Sequence, residues 1–155
     1  MRRLSAFGLC LLLCVNAVPI QAEASSEAYC VMAEDGRVLV GENLHQTQSV
    51  ASISKIMTAV VALEHGLLEE ELEAGEEIKL AVGSSIYLKQ GEKMSLQDLL
   101  YGLMLRSGND AAMVIACELA GDVETFVGWM NDQADELGMA DSLFRNPSGL
   151  DEEDG

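Results

Sequence analysis

A chain of 155 residues holds at most one ordinary domain. Its 26 acidic residues stand against 9 lysines and arginines, a formal charge of −17. A polyanion of that kind repels nucleic acid and anionic lipid, so both are set aside as partners.

The chain opens on Met1-Arg2-Arg3, a short positive start, followed by an apolar run from Leu4 to Val18 broken by Ser5 and Asn16. Ala22-Glu23-Ala24 then supplies small residues at the minus-three and minus-one positions. This layout predicts a secretory signal peptide over residues 1–24, cut after Ala24 or after Ala22. The apolar run is too short and too interrupted for a comfortable membrane span. The mature chain is therefore expected outside the cytoplasm, in the periplasm or on the outer face of the membrane. Losing Arg2, Arg3 and Glu23 takes its charge to −18. Cys10 and Cys14 leave with this segment, and Leu9 and Leu13 stand where lipid attachment needs a small residue. Cys30 and Cys117 remain, and both one disulfide and two buried thiols fit their surroundings.

Ala28 to Ala33 and Arg37 to Glu42 read as two short strands, joined through Glu34-Asp35-Gly36 into a hairpin. From Ser52 to about His65 the pattern is helical, with Ile56, Ala59, Val60 and Leu63 on one face and Gly66 as the stop. An acidic, turn-rich stretch follows to about Gly91, its glutamates Glu69 to Glu77 forming a solvated face. Ser95 caps the next helix, with Asp98 in a loose capping box and Leu96, Leu99, Leu100 and Leu103 on the apolar face. A buried helix is expected from about Asn109 to Leu119, and an amphipathic one from Asp122 to Gly138. The tail carries the turn cluster Asn146-Pro147-Ser148-Gly149. His45 and His65 lie far apart without a cysteine or carboxylate set, so no metal site is expected. Met57, Met104, Met113 and Met130, with Trp129 and Tyr101, read as packing residues.

Two short patterns could carry chemistry. Ser52-Ile53-Ser54-Lys55 puts a serine at the first turn of a helix, near its positive dipole end, and a lysine one turn on. A desolvated lysine amine loses its proton more readily and can then take the serine proton. The pattern alone is cheap, since serine and lysine meet at this spacing on the order of once in a few hundred positions. Ser107-Gly108-Asn109 lies between two helices, where the hydroxyl could relay a proton and the amide could bind a carbonyl. Its simpler reading is a helix cap.

The two patterns together, in this order, resemble the serine penicillin-binding proteins and serine β-lactamases. The surrounding text narrows the resemblance to the low-molecular-weight D-alanyl-D-alanine carboxypeptidases. It is carried by Ala51 to Ala59, by Gly83-Ser84-Ser85-Ile86-Tyr87-Leu88 with Gly91-Glu92, and by Asp98 to Leu103. Ser107 to Ala112 and Phe144 to Leu150 complete it. The resemblance covers about Ala28 to Gly155. It implies an α+β fold of the β-lactamase/transpeptidase-like kind, an antiparallel sheet flanked by a helical cluster, with a partial penicillin-binding domain over residues 25–155.

The resemblance also implies roles. Ser52 would attack the carbonyl of the penultimate D-alanine of a peptidoglycan pentapeptide, and Lys55 would act as general base. Ser107 and Asn109 would complete the proton network, the Ser52 N–H would be half of an oxyanion hole, and Gly108 and Tyr87 would lie against the substrate. β-Lactam antibiotics would be trapped on the same serine, and no metal or organic cofactor would be needed. Gly108 argues against a class A β-lactamase, which has aspartate there. The family's third motif, Lys-Thr-Gly or a close variant, is not present: Lys55, Lys79, Lys89 and Lys93 are the only lysines and none precedes Thr-Gly. That strand, the remaining sheet, and a segment for membrane-surface attachment are expected beyond Gly155, so the chain reads as truncated. The alternatives to an enzyme with this family's activity are a non-catalytic penicillin- or peptidoglycan-binding module and, behind it, a β-lactamase.

Overall fold

Residues 26–150 are described by the computed structural model of the chain, and the expected signal peptide lies outside them. The chain divides into two units, one ending at Gln46 and the other beginning at Thr47. In the first unit, strand β1 (Tyr29–Met32) pairs antiparallel with β2 (Val38–Glu42), Tyr29 facing Glu42 and Val31 facing Val40. The register shifts between Val31 and Met32, so the hairpin carries a bulge. Its turn is fixed by Asp35, which accepts from the Arg37 N–H at 3.1 Å and from Arg37 Nε at 2.8 Å, while Gly36 takes a φ of 82°. This is the hairpin expected from the two short strands and the turn between them, trimmed by a residue at several ends.

The second unit is mainly helical: α1 (Lys55–His65), α2 (Leu96–Arg106), α3 (Asn109–Ala120) and α4 (Val123–Glu136). Helix α3 is the hub, as its nearly all-apolar sequence predicts. Ala111, Ala112, Val114, Ile115 and Ala116 are all buried, and α1, α2 and α4 each pack against it. Small residues on α3 let its neighbours approach closely, and Leu96, Leu99, Leu103, Val61, Phe126 and Met130 fill the space between them. Each such leucine contributes about 1.5–3 kcal/mol of burial before conformational entropy is counted. The helices start where capping chemistry places them. Ser95 Oγ accepts from the Asp98 N–H at 3.1 Å and donates to Asp98 Oδ2 at 2.9 Å, and Asp122 Oδ1 accepts from the Thr125 N–H at 2.7 Å. Gly121, at a φ of 86°, turns the chain from α3 into α4.

The turn-rich stretch is more ordered than its composition suggests. It contains a second antiparallel pair, β3 (Glu71–Glu73) with β4 (Lys93–Ser95), and a 3-10 turn over Glu76–Leu80. Three-residue strands leave room for one inward side chain, here the buried Leu72 opposite Met94, so no alternation was there to read. Helix α1 also differs at its start: residues Ala51–Ser54 form a 3-10 turn, and the α-helix proper begins at Lys55. Among the described residues the architecture is α+β, and no helix is long and apolar enough to cross a membrane.

Candidate active site

Three segments meet around Ser52: the 3-10 turn leading into α1, the corner between α2 and α3, and the turn after α4. Ala51 has a φ of 46°, a left-handed conformation that costs a non-glycine residue roughly 1 kcal/mol, and it turns the chain sharply into Ser52. One helical turn later comes Lys55, only 2% exposed. Its Nζ donates to Ser52 Oγ at 3.1 Å and to the Ser148 carbonyl at 2.6 Å. Both acceptors are neutral, and burial pushes the amine below the ordinary lysine value of 10.5. The helix pattern put Lys55 beside Ser52; the structure adds that the amine is out of water.

Ser107 is the last-turn cap of α2 and also left-handed, with a φ of 55°. That conformation folds α3 back across α2 and aims the Ser107 hydroxyl at Ser52, whose Oγ accepts from it at 3.0 Å. Gly108 sits inside this corner. A Cβ there would lie 3.1 Å from Asp110 Oδ1 and 3.2 Å from Ile86 Cγ2, so the position is filled by packing. Asn109, the first residue of α3, is buried; its N–H donates to the Ser84 carbonyl at 2.8 Å and its side-chain amide to the Val82 carbonyl. The amide thus ties the Val82–Ser84 loop to the corner, while the amine of Lys55 is held by Ser52 and Ser148. Asp110, 2% exposed, gathers the same loop: it accepts from Ser85 Oγ at 2.6 Å and from the N–H groups of Ile86, Leu88 and Ala111 at 3.0 Å each. Burial alone would raise its pKa, but these bonds outweigh it and keep the carboxyl below the ordinary aspartate value.

The third segment was visible in the sequence as a turn cluster and as part of the family resemblance, without a role of its own. Asn131 of α4 holds its start, exchanging bonds with the Phe144 N–H at 2.8 Å and the Phe144 carbonyl at 2.9 Å. Asn146 Oδ1 then accepts from the N–H groups of Ser148 at 3.1 Å and Gly149 at 2.7 Å, and from Ser148 Oγ at 3.1 Å. Gly149, at a φ of 71°, runs so close to the 3-10 turn that a Cβ would fall 2.0 Å from the Ala51 carbonyl oxygen. Ala51, Ser52, Asn109, Ser148, Gly149 and Leu150 line one cleft. Sequence reasoning missed the Ser148 carbonyl, because a backbone acceptor has no residue-type signal.

Tyr87 does not line this cleft. It is 80% exposed, with a φ of 64° and its N–H on Ser85 Oγ at 2.8 Å. Cys30 and Cys117 are free thiols; Cys117 is half-buried, and its thiol is pushed up chiefly by burial and further by the charges of Glu77, Asp122 and Glu118. Among the described residues no group of three or more histidines, cysteines and carboxylates could hold a metal ion.

The arrangement places a hydroxyl within reach of a buried amine and of a second hydroxyl, at a cleft, which are the groups that activating a serine requires. Residues 15–155 match the family described as D-alanyl-D-alanine carboxypeptidase. A D-alanyl-D-alanine carboxypeptidase of Bacillus subtilis is 35% identical over 137 residues, covering 85% of this chain and 35% of the relative. In three dimensions the chain is similar to a D-alanyl-D-alanine carboxypeptidase of Mycobacterium tuberculosis, with a TM-score of 0.80 and 31% identity over 86% of this chain and 50% of the other. It is also similar to a penicillin-binding protein of Listeria monocytogenes in its ampicillin-bound form, with a TM-score of 0.73 and 31% identity over 86% and 55%. The penicillin-binding proteins thus share its fold, and the chain spans about a third of the length of the curated relatives it matches.

Proposed function

Because the chain belongs to the D-alanyl-D-alanine carboxypeptidase family, we propose that it acts as a serine-type carboxypeptidase on peptidoglycan stem peptides, with Ser52 as nucleophile. The observation that carries this reading is the placement of Ser52 Oγ 3.1 Å from the buried Lys55 Nζ and 3.0 Å from Ser107 Oγ.

In its neutral form the Lys55 amine has a lone pair to accept the Ser52 proton, so the hydrogen bond between them reverses direction as Ser52 attacks. The Oγ forms a bond to the carbonyl carbon of the penultimate D-alanine, and the negative charge moves onto the carbonyl oxygen near the Ser52 N–H. Collapse breaks the C–N bond, and the departing D-alanine takes a proton from Lys55, by way of Ser107. Water then attacks the ester, returns a proton to Ser52, and frees the shortened peptide. Asn109, on the cleft wall, would hold the peptide backbone; Gly108 serves by keeping the corner tight, and Tyr87 would reach the substrate from the loop rim. A β-lactam would acylate Ser52 by the same attack, with ring opening in place of a leaving group. The ampicillin-bound Listeria neighbour supports that extension. The signal-like start of the chain supports action outside the cytoplasm, where stem peptides are found.

D-alanine release from a peptide ending in D-Ala-D-Ala tests the reading. The chain is expected to release it, and Ser52→Ala to lose the rate by about a thousandfold or more. Equal release by both would contradict the assignment of Ser52. Rapid turnover of penicillin without action on the peptide would point to a β-lactamase.

A further inference from the structure

Two consecutive carbonyls of the turn after α4 are taken by two residues of one helix. Lys55 Nζ donates to the Ser148 carbonyl and Thr58 Oγ1 to the Pro147 carbonyl, each at 2.6 Å. Lys55 and Thr58 are one helical turn apart on the same face of α1, so the helix grips the turn at two adjacent points. Thr58 is completely buried. Its other neighbour is the weakly accepting Met130 Sδ at 4.0 Å. A hydroxyl in such a place carries a desolvation cost that a valine of the same shape would not. Its use is therefore the Pro147 carbonyl, and Pro147, having no N–H, offers the helix that acceptor alone.

We propose that Thr58 is a positioning residue for the Ser52 chemistry: through the Pro147 carbonyl it holds the turn so that the Ser148 carbonyl stays on Lys55 Nζ, and Nζ stays within reach of Ser52 Oγ. This rests on the proposed role of Lys55 as the base. Asn146 fixes the turn internally, whereas Thr58 fixes it against the helix that carries the base. Freed from Thr58, the turn can rock as a unit, moving the Ser148 carbonyl off the amine and admitting water to it.

Acylation of the full chain by a β-lactam, resolved into reversible binding and the covalent step, tests this with Thr58→Val, Thr58→Ser and Ser52→Ala in parallel. Thr58→Val is expected to slow the covalent step by about ten- to a hundredfold while reversible binding changes less than about twofold. Thr58→Ser, which keeps the hydroxyl, is expected to stay within about threefold of the native chain. An unchanged covalent step in Thr58→Val overturns the proposal. So does an equal loss in both variants with a fall in urea midpoint, which marks a packing role. If the native chain forms no adduct, the Ser52 reading fails, and Thr58 is decided by following the Lys55 side-chain carbon in an NMR titration. A midpoint that moves toward 10.5 in Thr58→Val but not in Thr58→Ser supports the positioning role, and an unmoved midpoint overturns it.

Discussion

The amine of Lys55 is buried between two neutral oxygens, Ser52 Oγ and the Ser148 carbonyl. Burial disfavours its charged form and lowers its pKa from 10.5. As pH rises through that lowered value the neutral amine accumulates, so the acylation rate is expected to rise with pH and to level off below 10.5. A rate that climbs without levelling until 10.5 would show an amine in ordinary solvent. Lys55→Arg keeps the charge and cannot lose it, so acylation is expected to fall by about a thousandfold or more at every pH. At this scale the sequence was informative for Ser52 and Lys55, whose spacing follows helix geometry, and for Ser107 only through the order of the motifs. It was uninformative for the Ser148 carbonyl and for the left-handed Ala51, since a backbone oxygen and a dihedral angle leave no mark in residue type.

The site depends on a few sharp joints between elements. Gly149 passes the 3-10 turn before α1 with no room for a side chain and with a positive φ. Gly149→Ala is therefore expected to cost about 2–5 kcal/mol in urea unfolding, combining a left-handed alanine with an overpacked contact. It should also slow acylation, since the Ala51 carbonyl must move and Ser52 is the next residue. An unchanged midpoint would mean that the turn and the 3-10 segment do not meet. The helices were legible where caps and glycines mark them: α2 and α4 begin at Ser95 and Asp122, and α3 ends at Gly121. The face expected for α1 was not, since Ile56 and Leu63 are more than half exposed and Met57, Thr58, Val61 and Ala62 are buried instead. The pair β3 and β4 was not, because Glu71 and Glu73 flank a single apolar Leu72, and pairing there is decided by partners 20 or so residues away. The two left-handed residues at Ala51 and Ser107 likewise follow from tertiary fit, against local propensity.

In the molecule as a whole, the helical unit from Thr47 brings Ser52, Lys55, Ser107, Asn109 and the Ser148 carbonyl together from three segments, with Lys55 and Ser148 lying 93 residues apart. The order of the motifs along the chain was enough to suggest the family, and the match over residues 15–155 agrees. The central claim is that this constellation activates Ser52. Intact-mass spectrometry of the chain after incubation with penicillin, beside Ser52→Ala, tests it most directly. One penicillin adduct per native chain and none on Ser52→Ala is the predicted result. No adduct in a native sample that melts cooperatively, or an adduct on both proteins, would contradict it.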